Sequence, residues 1–192
     1  YTRNSFGEGA SPALYEDTLV INCDHERQSF IVALDANTGE SKWKQLRDEE
    51  TSWDTPLIVE HEGVVQVIVN AMNRSRSYDL ATGEVLWECG GQARGPVATP
   101  IVHEDLVFCM TGHRGAALLA IPLGARGDIT DSDQIAWRLD RHTPYVPSPL
   151  IYDDLLYFTK SNSAILTCVK AQTGEVQYSA KRLPDIDGIY AS

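Results

Sequence analysis

The chain has 192 residues and carries 27 Asp and Glu against 16 Lys and Arg, a formal net charge of −11. That excess argues against a nucleic-acid binder, because nothing in it offsets phosphate repulsion. No apolar run approaches a membrane span; the longest, 116–125, is broken by Pro122.

In chain order, the first unit reads as four short strands at 11–15, 19–23, 30–35 and 40–46. The second unit repeats them at 55–60, 65–70, 76–79 and 84–88. Units three and four follow at 99–139 and 148–180, and 189–192 reads as the opening of a further unit. Each unit opens on Ser/Thr-Pro, at Ser11-Pro12, Thr55-Pro56, Thr99-Pro100 and Ser148-Pro149. Pro12, Pro56 and Pro100 stand 44 residues apart, as do Trp43 and Trp87. A fixed period of this size marks a propeller or a solenoid.

The second strand of each unit is nearly continuous apolar, as in Leu19-Val20-Ile21, Val67-Ile68-Val69 and Leu106-Val107-Phe108. A strand apolar on both faces must be covered on both faces. Stacked four-stranded antiparallel sheets would do this, which is the design of a propeller blade. The expected fold is therefore all-β, a β-propeller of four-stranded antiparallel blades, forming one segment over 1–192.

Three units share a Thr-Gly-Glu turn, at Thr38-Gly39-Glu40, Thr82-Gly83-Glu84 and Thr173-Gly174-Glu175. The glycine supplies the positive φ the turn needs. Asp35 and Asp79 sit where a carboxylate can accept turn amides. An aromatic follows each Glu by three positions: Trp43, Trp87 and Tyr178. Unit three keeps Trp137 but carries a longer segment at 124–134, and unit four has Lys170 in place of the turn Asp. These aromatics, with Gly39, Gly83 and Gly174, are read as structural: each ring wedges against a neighbouring blade.

The stretch Ala33-x-Asp35-x-x-Thr38-Gly39-Glu40-x-x-Trp43 resembles the tryptophan-docking motif of quinoprotein-type (PQQ-like) β-propellers. The resemblance covers essentially the whole chain. The family includes PQQ-dependent alcohol dehydrogenases and a non-enzymatic propeller lipoprotein of bacterial outer-membrane protein assembly. Its rings have seven or eight blades, so four blades imply part of a larger ring, although a closed four-bladed ring or two docked chains would also satisfy the repeat. An extracytoplasmic location, periplasmic or secreted, follows from the resemblance alone. So does the possibility of PQQ with calcium, if the chain is a piece of a quinoprotein dehydrogenase. The adjacent cysteine pair of those enzymes is missing here.

Charges divide by rim. The turns joining first to second and third to fourth strands carry sixteen acidic residues against Arg126 and Lys170. The opposite rim holds Arg27, Arg74, Arg76, Arg94, Arg114 and Arg141 among its loops and linkers. An acidic rim favours solubility, and the arginine-rich rim is the candidate working face. Linker residues before each inner strand point to the channel mouth, which makes Trp53, Asp54, Arg94, His142, Tyr145 and Tyr190 the candidate binding residues.

No catalytic residue or metal site is assigned. Asp128, Asp131 and Asp133 lack the spacing of a calcium loop, and the five histidines show no metal-ligand spacing. The four cysteines are expected to form no disulfide, because Cys23 and Cys109 read as equivalent positions a whole unit apart. The function expected is a non-catalytic scaffold that binds a protein or peptide, with self-association through the terminal blades as a further expectation. The rival reading is the dehydrogenase fragment.

Overall fold

Alternating apolar residues and tight turns place seventeen strands and no helix in the computed structural model, which describes residues 9–190. Blade one is β1 (Ala13–Tyr15), β2 (Thr18–Cys23), β3 (Ser29–Asp35) and β4 (Ser41–Arg47), antiparallel in chain order. Blade two repeats it with β5 (Leu57–His61), β6 (Val64–Val69), β7 (Ser75–Asp79) and β8 (Val85–Cys89). In blade three, β9 (Ile101–His103), β10 (Leu106–Thr111) and β11 (Ala117–Pro122) are followed at the edge by β13 (Trp137–Leu139). Blade four is β14 (Leu150–Tyr152), β15 (Leu155–Thr159), β16 (Ile165–Lys170) and β17 (Val176–Arg182). The fold is the expected β-propeller of four-stranded antiparallel blades.

Side-chain alternation sends each strand's residues to two different neighbours. Val20, Ile31 and Ala33 of blade one pack on Val67, Val69 and Tyr78 of blade two. Ile68, Trp87 and Cys89 meet Val107, Cys109 and Leu119 of blade three. The intervening Phe108, Met110 and Leu118 face Leu156, Phe158 and Val169 of blade four. β10 is consequently buried along its whole length, which explains a strand without polar alternation. Each fully buried Val, Leu or Phe contributes about 1.5–3 kcal/mol before entropy is counted.

The Thr-Gly-Glu turns are built from their own sequence. Asp35 Oδ1 accepts the amides of Asn37 and Thr38 at 2.9 Å, and Asp79 Oδ1 those of Ala81 and Thr82 at the same distance. In blade four the Lys170 side chain pairs with Glu175 instead, yet the Gly174 amide still donates to the Lys170 carbonyl at 2.9 Å. Backbone geometry therefore sets the turn and the carboxylate reinforces it.

Trp43 and Trp137 each stand on an edge strand and grip the following blade. Trp43 Nε1 donates to the Leu80 carbonyl at 2.7 Å, and Trp137 Nε1 to the Ala171 carbonyl at 2.9 Å. Their rings lie flat on Gly83 and Gly174, where a Cβ would sit 2.7 Å from the indole. Both indoles are half-buried, whereas Trp87 is wholly buried. The carbonyl Trp87 would use, that of Leu123, instead accepts the buried Gln66 amide at 2.9 Å. Trp87 Nε1 finds no acceptor among the described residues.

Blade three's longer segment explains that burial. Its residues Gly127–Asp128 form β12, a two-residue strand pairing parallel with β8 of blade two, Gly127 opposite Trp87. Ala125 and Ile129 close over the indole. This acidic segment is thus partly a sheet edge, and Asp128 pairs with Arg74 at 2.8 Å.

Cys89, Cys109 and Cys168 are buried and Cys23 is half-buried, and no disulfide joins them. The supposed equivalence of Cys23 and Cys109 does not hold. Cys23 is the sixth residue of β2 and Cys109 the fourth of β10, although both strands begin at matched positions. Of the expected further unit at 189–192, the last two residues lie outside the described ones. The Ile189 amide donates to the Asn162 carbonyl at 2.9 Å, next to a bridge between Ser163 and Gly188.

Candidate functional site

Three successive linkers meet at the rim opposite the acidic hairpin turns, and each contributes to a shared cleft of about 480 Å³. Trp53 comes from the linker between blades one and two, Arg94 from the next, and Tyr145 from the third. Glu26, Glu50, Met72, His113 and Arg114 complete the walls.

The first linker is pinned from beneath on both sides of Trp53. Ser52 Oγ donates to Asp24 Oδ2 at 2.7 Å, and the Asn70 amide donates to Asp54 Oδ2 at 2.7 Å. Asp24 is itself held by Arg47, whose Nε and Nη2 approach its two oxygens at 2.7 and 3.0 Å with both side chains fully buried. Arg47 also donates to the Tyr78 hydroxyl of blade two. Removing either ion would strand the other without water, so this pair fixes the linker's path. The Trp53 amide donates to the Pro96 carbonyl at 3.0 Å, tying the first linker to the second.

The second and third linkers are held against β10 and the loop after it. The Ala93 amide donates to Thr111 Oγ1 at 2.7 Å, and Arg94 bridges His113. Thr143 Oγ1 donates to the Thr111 carbonyl. Gly112 is required here, since a Cβ would fall 2.4 Å from the carbonyl oxygens of Thr143 and Pro144. That close passage delivers Tyr145 onto His113, ring centroids 4.5 Å apart and planes 28° from parallel. The result is an aromatic and thioether surface with cations and carboxylates at its edges, a composition typical of protein-contact hot spots.

The six linker residues named from sequence do not all converge. Trp53, Arg94 and Tyr145 do. Asp54 is 0% exposed and lies beneath the cleft, so no ligand reaches it. Burial, opposed by the Asn70 amide, pushes its carboxyl up to about 8. His142 turns outward, Nδ1 2.9 Å from Ser179 Oγ, beside a larger groove of about 700 Å³ between the outer strands of blades three and four. Tyr190 is exposed and lines none of these cavities. Glu26, Met72 and His113 were missed because they come from loops joining second to third strands, as does Arg114, which was placed on the arginine-rich rim but not among the binding residues. The strand alternation that groups those loops with the linkers on one rim was the available signal.

A PQQ and calcium pair does not fit this cleft. Calcium asks for six or more oxygens converging on one point, and the cleft offers only Glu26 and Glu50 as carboxylates. Of its rings, Tyr145 and His113 are stacked on each other. Among the described residues, the side chains close enough to share an ion are His103, Glu104 and Asp154, on the opposite rim.

Solved structures give the same architecture. BamB from Moraxella catarrhalis aligns with a TM-score of 0.63 and 19% identity, over 88% of this chain and 52% of that one. Quinohemoprotein alcohol dehydrogenase from Comamonas testosteroni aligns at 0.63 with 14% identity, over 94% and 36%. A europium-containing methanol dehydrogenase aligns at 0.64 with 12% identity, over 95% and 44%. The chain thus spans about half, or less, of the length of these structures, and at such identities the likeness is one of fold. No curated protein matches at the level of sequence. The family model described as outer membrane protein assembly factor BamB matches residues 2–180, and the chain belongs to that PQQ-like β-propeller family.

Proposed function

We propose that this chain is a non-catalytic binding module that holds a peptide or protein segment in the cleft formed by Trp53, Arg94 and Tyr145. The observation that carries the reading is their origin in three different linkers, each separately pinned, so that the surface is pre-formed. Rigid aromatic side chains beside arginines supply contact area at low entropic cost. Glu26 and Glu50 add acceptors at the edge, suited to the amides or a basic side chain of an extended segment. Membership in a family described by an outer membrane protein assembly factor supports a protein partner and an extracytoplasmic location.

The test uses a displayed library of random twelve-residue peptides selected on the intact chain, with affinities read by fluorescence anisotropy. Arg94→Ala and Tyr145→Ala should each weaken selected peptides about tenfold or more, the effect of losing about 1.4 kcal/mol. Glu84→Gln, on the acidic rim, should leave affinity unchanged. Peptides that bind both cleft variants as tightly as the wild type would place recognition elsewhere.

A further inference from the structure

We infer that the groove between the outer strands of blades three and four is a second docking site, which takes an extended, acidic segment of a partner protein as an added strand on the open edge of β11.

The edge is open because the outer strand of blade three is cut short. In blades one, two and four the outer strand runs on to the residue opposite the start of the third strand: Arg47 opposite Ser29, Cys89 opposite Ser75, Arg182 opposite Ile165. In blade three, β13 stops at Leu139, opposite Leu118, and leaves Ala117 and Ala116 with no outer neighbour. The Ala120 carbonyl accepts the Ala136 amide at 3.0 Å, so Ala120 turns its backbone groups to the outer edge. Alternation along the strand turns those of Leu118 and Ala116 the same way. Among the described residues no hydrogen bond reaches the Ala116 N–H or carbonyl. An unpaired donor and acceptor side by side on a strand edge are a template for another extended chain.

The opposite wall belongs to blade four and is shaped by a bulge. Between Tyr178, opposite Cys168, and Lys181, opposite Leu166, β17 sets Ser179 and Ala180 against Thr167 alone, with Ala180 at φ +54°. Bulges end strand pairing and gather beside binding sites. Thr167 lines the groove while only 3% exposed, and its hydroxyl has no hydrogen-bond partner among the described residues. A buried hydroxyl left unmet costs stability, and a main-chain group lying in the groove would satisfy it. Gly91, with no described atom within 4 Å of where its Cβ would point, keeps one side of the groove clear.

Charge selects the occupant. The lining carries Arg138 and Arg141 against one carboxylate, Asp140, on a chain whose net charge is −11. Asp140 approaches Arg141 only to 3.4 Å with both side chains largely exposed, and Arg138 reaches the Thr130 carbonyl at 3.5 Å. Both guanidiniums keep donors for the carboxylates of a partner strand. The groove shares no lining residue with the cleft of Trp53, Arg94 and Tyr145, so the two sites are tested apart.

Twelve-residue peptides are selected from a displayed random library on the Tyr145→Ala chain, whose cleft is disabled, then labelled with fluorescein and titrated by anisotropy. The selected peptides should be enriched in Asp and Glu. Arg138→Glu and Arg141→Glu, made in that background, should each weaken them at least tenfold. Arg27→Glu, on an exposed loop of blade one, should leave affinity unchanged. Thr167→Val should weaken them about threefold or more without lowering the thermal midpoint, since the lost hydroxyl has no partner in the free chain. Bound peptide should slow hydrogen exchange at the Ala116 amide. An empty selection, peptides no more acidic than the library, or peptides indifferent to both Glu variants overturn the inference. Binding that ignores Thr167→Val, or that leaves the Ala116 amide exchanging as in the free chain, overturns the strand addition.

Discussion

The Trp43 indole donates to the Leu80 carbonyl at 2.7 Å while its ring rests on Gly83, so one side chain joins blade one to blade two by a hydrogen bond and a van der Waals seat. Gly83 has two reasons to be glycine: φ is +76°, and a Cβ would lie 2.7 Å from the ring. Gly63 has only the first reason, with φ +77° and open space around it. Gly63→Ala should therefore cost about 1–2 kcal/mol, the penalty for left-handed backbone. Gly83→Ala should cost at least about 1 kcal/mol more, because the indole must move as well. Urea midpoints of the two variants measure the difference, and equal midpoints would remove the seat.

Asp54 gives a pH signature. Its folded carboxyl titrates near 8 because it is buried, against an ordinary value near 4 in the unfolded chain. Between those values the folded state keeps a proton that the unfolded state has lost, so stability falls as pH rises from about 4 to about 8 and is flat above. Asp54→Asn keeps an acceptor for the Asn70 amide without the titration. The stability of the variant relative to wild type should rise by about 1.4 kcal/mol per pH unit across that window. Parallel curves of stability against pH would contradict the assignment.

Arg47 and Asp24 form the deepest ion pair, both side chains fully buried. Asp24→Asn leaves a buried guanidinium without its counter-charge and should cost about 3–5 kcal/mol. Tyr78→Phe removes one acceptor from the same guanidinium and should cost about 1–3 kcal/mol. Thermal unfolding at constant pH ranks them, with Asp24→Asn expected lower.

Glu62 holds φ +50° at the first turn of blade two, and it is exposed. Asn tolerates that conformation better than Glu. Glu62→Asn should therefore stabilise the chain by a few tenths to about 1 kcal/mol, read as a higher urea midpoint. A lower midpoint would indicate that the weak approach of His61, 4.0 Å from the Glu62 carboxylate, matters more than backbone preference.

The blades were legible because the signals that define them are local and repeated: proline, apolar run, Thr-Gly-Glu, aromatic. What escaped reading depends on contacts between units. Gly127-Asp128 carries no strand propensity, and β12 exists because β8 offers an edge beside it. Gln66 could not be seen to take the carbonyl that docking would reserve for Trp87, since 57 residues separate Gln66 from Leu123. At the cleft, linker position picked out Trp53, Arg94 and Tyr145. It could not distinguish them from Asp54, whose depth is decided by the Asn70 amide above β6.

The splice of β12 onto β8 has a kinetic consequence. The Ile129 amide donates to the Glu88 carbonyl at 2.9 Å and the Gly90 amide to Thr130 Oγ1 at 3.0 Å, so chain belonging to blade three closes the edge of blade two. Those sheets cannot open separately without first releasing this segment. In native-state hydrogen exchange the amides of β6 and β10 should therefore share one opening free energy, with those of β2 and β15 lower. The molecule would come apart from its two ends inward, leaving a two-sheet nucleus that is the last to let go.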